Sequence, residues 1–227
     1  MRNAYERVSV EYYRRDLHPT CANLRDCTEY GLRAIERLVF GEGRLFCEVG
    51  CGLSMLGNSR VFHDSVVVGV DLNAGILSHA APPVIRADVF ALPFGNACLD
   101  GIFGSLIDPY NTEEFYREAL RVLRPGGRLV FSVPDIEWVR YNRTKEGIQQ
   151  QVAILSLADG SGARLPSYVY ENNEQIAMLD QIGFQDSWRY PVRLEDCVAR
   201  DQISPRFLKP DGNLVSENAV NMFISFG

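Results

Sequence analysis

The chain has 227 residues, and 46% of them are hydrophobic, which is enough to bury the core of one domain of ordinary size. A formal net charge of -6 gives no general attraction to phosphate backbones, so the composition disfavours a nucleic-acid partner. The chain has no apolar run of about eighteen residues, no signal-peptide core and no CxxC pair among its six cysteines, so we expect no membrane span and a cytoplasmic location with reduced thiols.

Residues 1–38 predict helices that form an N-terminal cap, because apolar residues recur there at helical spacing. His18, Cys21 and Cys27 follow the spacing H-x2-C-x5-C in this segment. A fourth ligand and a second ligand pair are missing, so we predict no metal site. His18 is then either a surface or capping histidine or a general base that faces a substrate.

The central part of the chain alternates short apolar strands with helical stretches. Residues 111–123 have helical spacing, and Thr112 occupies the position of an N-terminal cap. This alternation predicts an α/β fold, in which a parallel sheet has helices on both faces. The predicted strands of this core are 44–49, 66–71, 83–88, 99–107 and 127–133.

The C-terminal half departs from this alternation. Residues 135–183 predict a helical insertion, which forms a second part of the cap. Residues 184–193 and 219–226 are strand-like, and their separation is longer than a hairpin needs. We therefore expect the segment 195–217 to be an insertion that lies near the substrate.

The first predicted strand ends in a glycine turn, Glu48-Val49-Gly50-Cys51-Gly52. In open α/β sheets, ligands bind at the carboxyl ends of the strands. The dinucleotide fingerprint GxGxxG does not fit, because Met55 occupies the third glycine position. Glu48 would also oppose a pyrophosphate on the following helix N-terminus. A ligand that is positively charged and lacks phosphate, such as S-adenosylmethionine (SAM), fits this turn better.

Carboxylates at the next two strand ends suit the rest of such a ligand. Asp71 lies 19 residues after Gly52, the spacing at which a carboxylate accepts hydrogen bonds from both ribose hydroxyls. Leu72 can pack on the adenine face. Asp88 can accept a hydrogen bond from the exocyclic amine, and the backbone of Val89 can contact the ring nitrogens.

Four stretches, in this order, resemble the motifs of class I SAM-dependent methyltransferases of the small-molecule type. They are EVGCGLS, VVGVDLN, ADVFALPFGNACLDGIF and YREALRVLRPGGRLVFSVP, and together they cover about residues 44–134. Ser54 departs from the pattern, because the family often has a third glycine there. We expect a small residue to be tolerated at this position.

The resemblance implies a Rossmann-like fold with a seven-stranded, mostly parallel sheet, in a single domain of residues 1–227 whose cofactor-binding core is 44–134. It implies that Glu48 and Gly50 flank the methionine part of SAM, that Asp71 holds the ribose, and that Asp88 and Val89 hold the adenine. The full set of predicted cofactor residues is Glu48, Gly50, Cys51, Gly52, Asp71, Leu72, Asp88, Val89 and Ser105.

The stretch GSLIDPYN follows the fourth strand, whose end faces the methyl group in this fold. Asp108 and Tyr110 are therefore candidate bases beside His18, although Asp108-Pro109 can also be a simple turn, and Tyr13 of the N-terminal cap is a further candidate. We predict methyl transfer to a small-molecule acceptor at an oxygen, nitrogen or carbon atom. Three alternatives are a protein or RNA methyltransferase, a transferase that uses a related sulfonium ligand, and a catalytically silent homologue that binds a partner.

Overall fold

A computed structural model describes residues 6, 8, 11–39, 45–56, 65–81, 83–148 and 151–227. The strands are β1 (Leu45–Val49), β2 (Val66–Asp71), β3 (Val84–Arg86), β4 (Leu99–Gly104), β5 (Leu123–Pro134), β6 (Val152–Ser156), β7 (Gly162–Pro166), β8 (Gln185–Arg193) and β9 (Asn218–Phe226). The α-helices are α1 (Pro19–Val39), α2 (Ala74–Leu77), α3 (Glu113–Val122), α4 (Ile136–Glu146), α5 (Asn172–Ile182) and α6 (Leu194–Cys197).

Seven strands form one sheet in the order β3-β2-β1-β4-β5-β9-β8. The first five pair in parallel, whereas β9 is antiparallel to both β5 and β8. The predicted seven-stranded, mostly parallel sheet is therefore confirmed. The strand order reverses at β1, where the next strand along the chain lies on one side and β4 on the other, so the end of β1 is the expected ligand position.

Helices cover both faces of the sheet, as predicted, because its central strands are apolar on both sides. On one face, α3 and α5 bury Phe115, Tyr116 and Leu179 against the sheet. On the other face, α1 and α4 bury residues such as Leu32 and Trp138. The functional site has to lie at the strand ends, since both faces are filled.

The N-terminal cap is helical over the residues described. A short 3-10 helix (Glu11–Tyr13) precedes α1, which packs across β8 and β9. A Cβ at Gly31 would lie 2.6 Å from Val192, so glycine lets this helix approach the sheet closely. The first turn of α1 is thereby held above the carboxyl ends of the strands, where Cys21 and Leu24 reach the cavity described below.

The predicted helical insertion over 135–183 is wrong in its middle part. Helices α4 and α5 are present, but β6 and β7 form an antiparallel hairpin between them. Val152 and Ile154 are β-branched residues that suit a strand, and the turn Asp159-Gly160-Ser161 closes the hairpin. The cap is therefore part helix and part hairpin.

Two further details differ from expectation or refine it. Thr112 lies at the N-cap of α3 in an extended conformation, but its side chain makes no capping hydrogen bond. The segment 194–217 contains α6 and two short 3-10 helices, and its Phe207 stacks on Trp138 with ring centroids 5.0 Å apart. This contact places the C-terminal insertion beside α4.

Candidate active site

The glycine turn after β1 has a backbone that suits glycine. Gly50 and Gly52 have φ angles of 59° and 53°, in the left-handed region. A Cβ at Gly50 would lie 2.4 Å from the Tyr110 hydroxyl, and one at Gly52 would lie 1.8 Å from the Tyr13 hydroxyl. The turn therefore combines a left-handed backbone with close approach of two tyrosines, and any side chain at either glycine would collide with a tyrosine hydroxyl.

Glu48 supports the glycine turn from behind. Its buried carboxylate accepts hydrogen bonds from the Ser54 hydroxyl at 2.6 Å and from the backbone N–H groups of Met55 at 2.7 Å and Leu56 at 3.1 Å. Burial raises the pKa of Glu48, and these three donors oppose the rise. Ser54 itself has a φ of 66°, so the residue in place of the family's third glycine keeps a left-handed backbone.

Asp71, at the end of β2, connects the glycine turn to the next loop. One carboxylate oxygen accepts the Gly52 N–H at 3.0 Å, and the other accepts the Asn73 N–H at 2.8 Å. Each oxygen can accept a second hydrogen bond, and the side chain is only partly buried. The neighbouring Leu72 is 37% exposed, which leaves an apolar surface beside the carboxylate.

The third strand end presents an exposed carboxylate beside a buried residue. Asp88 accepts a hydrogen bond from the Phe90 N–H at 3.1 Å, and Val89 is buried. Since β3 lies next to β2, Asp88 and Asp71 belong to the same edge of the sheet. Asp71 and Asp88 both line the cavity described next.

A cavity of about 530 Å³ lies at this edge and extends beneath the cap. It brings together the nine residues predicted to bind the cofactor and three of the four candidate bases. These residues are Glu48, Gly50, Cys51, Gly52, Asp71, Leu72, Asp88, Val89 and Ser105, with Tyr13, Asp108 and Tyr110. The remaining wall, formed by the cap, is largely apolar.

Asp108 is the candidate base whose surroundings best suit proton transfer. It begins the short 3-10 helix after β4 and lines the cavity. Burial raises the pKa of Asp108 to about 7, while a hydrogen bond from the Ser167 hydroxyl and the nearby Arg143 guanidinium oppose the rise. A carboxyl group with this pKa can accept or release a proton near neutral pH.

The two candidate tyrosines contact the glycine turn and its flanking residues. The Tyr110 hydroxyl donates to the Val49 carbonyl at 3.1 Å, and the Tyr13 hydroxyl accepts the Leu53 N–H at 3.2 Å. Burial raises the pKa of both phenols. Both hydroxyls therefore stay protonated near neutral pH, and their geometry fits contacts with the glycine turn better than proton abstraction.

His18 does not line the cavity. It lies just before α1, where its carbonyl accepts the Ala22 N–H at 3.0 Å, and its side chain is buried. Burial lowers the pKa of His18, and Nε2 has no hydrogen-bond partner among the described residues. The placement fits the capping interpretation of His18 and argues against its role as the base.

The metal prediction concerned the same segment. Within the part of the chain that the structure describes, no group of three or more His, Cys, Asp or Glu side chains could hold a metal ion. Cys21 and Cys27 are both buried on α1, and only Cys21 of these two lines the cavity.

None of the helices described is long and apolar enough to cross a membrane.

Sequence reasoning missed three arginines that line the cavity. Arg143 on α4 donates a hydrogen bond to the Ser167 carbonyl. Arg25 on α1 lies over the rings of Tyr12 and Tyr13, 4.7 and 4.8 Å from their centroids. Arg206, from the C-terminal insertion, pairs with Glu146 at 2.6 Å. No local spacing links these arginines, because each comes from a different segment.

Comparison with known proteins identifies the core of the chain as a methyltransferase domain. A family model described as a methyltransferase domain matches residues 47–131. Malonyl-[acyl-carrier protein] O-methyltransferase 1 of Coxiella burnetii is 32% identical over 193 residues, which cover 82% of this chain. The match spans 63% of that relative, and 34% of each of two further malonyl-[acyl-carrier protein] O-methyltransferases, from Hahella chejuensis and Herminiimonas arsenicoxydans.

Solved structures share the fold at low sequence identity. A SAM-dependent methyltransferase from Thermotoga maritima is 18% identical and has a TM-score of 0.66, with 100% of this chain and 99% of that chain covered. Phosphoethanolamine N-methyltransferase 2 of Haemonchus contortus, solved with SAM, is 17% identical with a TM-score of 0.57, over 86% of this chain and 51% of that one. Residues 47–131 therefore match the methyltransferase-domain family, and the fold of the chain is that of the class I methyltransferases, whose cofactor is S-adenosylmethionine.

Proposed function

We propose that this chain transfers the methyl group of SAM to a small acceptor that carries a hydroxyl group and an apolar body, with Asp108 as the proton acceptor. The observation that carries the proposal is the single cavity. The predicted cofactor residues and Asp108 line this same cavity beneath a largely apolar cap, and we call the parts near them the cofactor side and the acceptor side. A cofactor and an acceptor can therefore meet in one cavity.

The residues around the glycine turn fit SAM. Asp71 accepts the Gly52 N–H at 3.0 Å, and its remaining lone pairs can accept hydrogen bonds from ribose hydroxyls beside the glycine turn. Asp88 and Val89 would hold the adenine. Bound SAM supplies a methyl carbon made electrophilic by the adjoining sulfonium group. The negative charge of Glu48 and Asp71 favours a cationic ligand over a pyrophosphate.

The acceptor side supports proton removal from a hydroxyl group. Methylation of a neutral hydroxyl releases a proton, and the ionised Asp108 can accept it in the cavity. Ser167 and Arg143 hold the Asp108 carboxylate in place. The protein's main contribution would be to align the acceptor oxygen with the methyl carbon, which supplies about 7–11 kcal/mol in well-oriented reactions.

The malonyl-[acyl-carrier protein] relatives suggest a second acceptor chemistry, a carboxylate oxygen. Such an oxygen carries no proton at neutral pH and needs no base. An ionised Asp108 would repel it, although Arg143 and Arg206 could attract it. The two chemistries predict opposite dependence on pH, because one needs Asp108 ionised and the other needs it protonated.

A transfer assay with methyl-labelled SAM tests the proposal. The acceptors would be a set of substituted phenols and aliphatic alcohols, with malonyl thioesters as the carboxylate group. Methylation of a hydroxyl acceptor that rises with pH and is lost in Asp108→Asn supports the proposal. Methylation of malonyl thioesters alone would replace the acceptor class. Failure of the wild-type protein to bind SAM would reject the methyltransferase activity itself.

A further inference from the structure

The hairpin strand β6 lines the cavity in an unusual way. Val152, Ala153, Ile154 and Leu155 all line it, although they are consecutive in the chain. Successive side chains of a strand point to opposite faces, so a cavity against one face of a hairpin contacts alternate residues. Leu165, Pro166 and Ser167 also line the cavity, but Arg164 and Ala163, the β7 partners of Ile154 and Leu155, do not. The cavity therefore reaches the end of the hairpin and continues along β6 alone, which indicates that β6 presents its edge there.

The hydrogen-bond register shows which main-chain groups that edge exposes. The Ser167 N–H donates to the Gln151 carbonyl, and the Leu157 N–H donates to the Ser161 carbonyl. Pairs in an antiparallel ladder alternate between bonded and non-bonded, so the pairs of Val152 with Pro166 and of Ile154 with Arg164 are non-bonded. Pro166, which lacks an N–H, fits this assignment.

The N–H and C=O groups of Val152 and Ile154 therefore point away from β7, along the edge that borders the cavity. Neither residue's main chain has a hydrogen-bond partner among the residues described. The two positions are two steps apart along the strand, which is about 7 Å. The side chains around them are apolar and offer no hydrogen bond. A ligand that displaces water from the cavity therefore has to pair with these main-chain groups itself.

We infer that the open edge of β6 binds an extended, amide-bearing arm of the methyl acceptor, through the outward main-chain groups of Val152 and Ile154. The pairing is the addition of a third strand to the hairpin, in which amide N–H and C=O groups alternate with those of β6. An acceptor held this way would extend from the hairpin towards Asp108. The inference rests on the proposed function for the identity of its occupant as a methyl acceptor, but its binding chemistry is testable alone.

Two proline variants form a matched pair. Ile154→Pro removes an outward N–H that borders the cavity, whereas Arg164→Pro removes the outward N–H of the paired residue on the opposite edge, where the side chain is exposed and does not line the cavity. Neither N–H takes part in the β6–β7 ladder, and proline is tolerated at such edge positions. The two variants therefore differ mainly in which edge of the hairpin they change.

The probes are pantetheine and acetyl-Ala-Ala-methylamide, each titrated into the S-adenosylhomocysteine complex and followed by NMR of the backbone amides. We expect at least one probe to shift the Val152 and Ile154 amide signals and slow their hydrogen exchange. Ile154→Pro should weaken its binding about fivefold to tenfold, the effect of one or two net hydrogen bonds, and Arg164→Pro should not. Binding of pantetheine alone would indicate a carrier-type arm, and binding of the peptide alone would indicate a peptide main chain.

An ester analogue keeps the inference testable if Ile154→Pro does not fold. Replacing the central amide of the peptide by an ester removes one N–H donor, and the corresponding change in pantetheine does the same. The wild-type protein should then bind the analogue several-fold more weakly. Binding of neither amide probe at millimolar concentration, or equal binding of amide and ester, would overturn the inference. These binding results do not depend on methyl transfer, so failure of the proposed function would appear separately in the transfer assay.

Discussion

The two sides of the cavity are constructed differently. On the cofactor side, Glu48 and Asp71 accept hydrogen bonds from main-chain N–H groups of adjacent loops, so their positions are determined by local chain geometry. On the acceptor side, Asp108, Arg143 and Arg206 come from separate segments and meet only in the folded protein. In the proposed function, the first side would bind the cofactor and the second the acceptor, and the second can vary without disturbing the first.

The largest expected effect concerns Asp108. Asp108→Asn keeps the shape of the side chain but cannot accept a proton, so kcat should fall by roughly 10²–10⁴-fold for a hydroxyl acceptor. The affinity for SAM should change little, because Asp108 lies on the acceptor side. Rapid-quench measurement of a single turnover, together with a SAM titration, checks both expectations. A variant that turns over at nearly the normal rate would show that Asp108 is not the proton acceptor.

The pH dependence sharpens the same assignment. With the pKa of Asp108 raised by burial to about 7, the rate should rise about tenfold per pH unit below 7 and level off above it. Stability should change in the opposite direction. Since the folded pKa exceeds the unfolded value of about 3.9, the protonated carboxyl contributes stability that is full below that value and lost as pH rises through about 7. Asp108→Asn should lack both trends, which rate profiles and denaturant titrations would measure.

A change at Asp71 should act on the cofactor side alone. Asp71→Ala removes two acceptors of loop N–H groups and the expected partners of the ribose hydroxyls, so SAM binding should weaken by on the order of 1–3 kcal/mol. Asp88→Ala is the matched control, because Asp88 is exposed and accepts one loop N–H. Its effect, measured by calorimetry, should be smaller. An equal loss in both variants would contradict the central place of Asp71.

Glu48 should matter for the fold of the turn. Glu48→Gln keeps the size of the side chain but replaces one carboxylate oxygen by an amide donor, which opposes the donors of the Ser54 hydroxyl and the loop N–H groups. The free energy of unfolding should fall by about 1–3 kcal/mol, the cost of leaving a buried polar group unpaired. Urea denaturation checks this value. An unchanged unfolding free energy with lost SAM affinity would instead indicate a direct contact with the ligand.

The smallest effect is expected at His18. Because His18 does not line the cavity, His18→Ala should leave kcat and SAM affinity within about threefold of wild type. Steady-state kinetics with any acceptor that turns over would measure this. A loss of kcat as large as that expected for Asp108→Asn would indicate that His18 is the base.

The difference between the two sides also explains what could be predicted from the sequence. The five core strands and the residues proposed to hold the cofactor follow from local patterns: an apolar run, a glycine turn and carboxylates at the next strand ends. Asp71 could be identified by its spacing from Gly52, and the structure shows the two joined by a hydrogen bond of 3.0 Å. Such positions depend on contacts between neighbouring strand ends, which spacing in the chain predicts.

The acceptor side could not be predicted in this way. Asp108 was one of four candidate bases, and its distinguishing feature is burial beside Ser167, which lies 59 residues further along the chain (167 minus 108). The hairpin was missed because its short apolar strands also fit a helical pattern. The arginines 25, 143 and 206 carry no local signal, since only tertiary packing brings them to one cavity.

Calorimetric titration with SAM tests the central claim most directly, which is that the glycine turn holds this cofactor beside an acceptor space. The account predicts saturable binding of one SAM per chain, binding of its demethylated product S-adenosylhomocysteine, and no binding of NADH. Binding of NADH without binding of SAM would contradict the account.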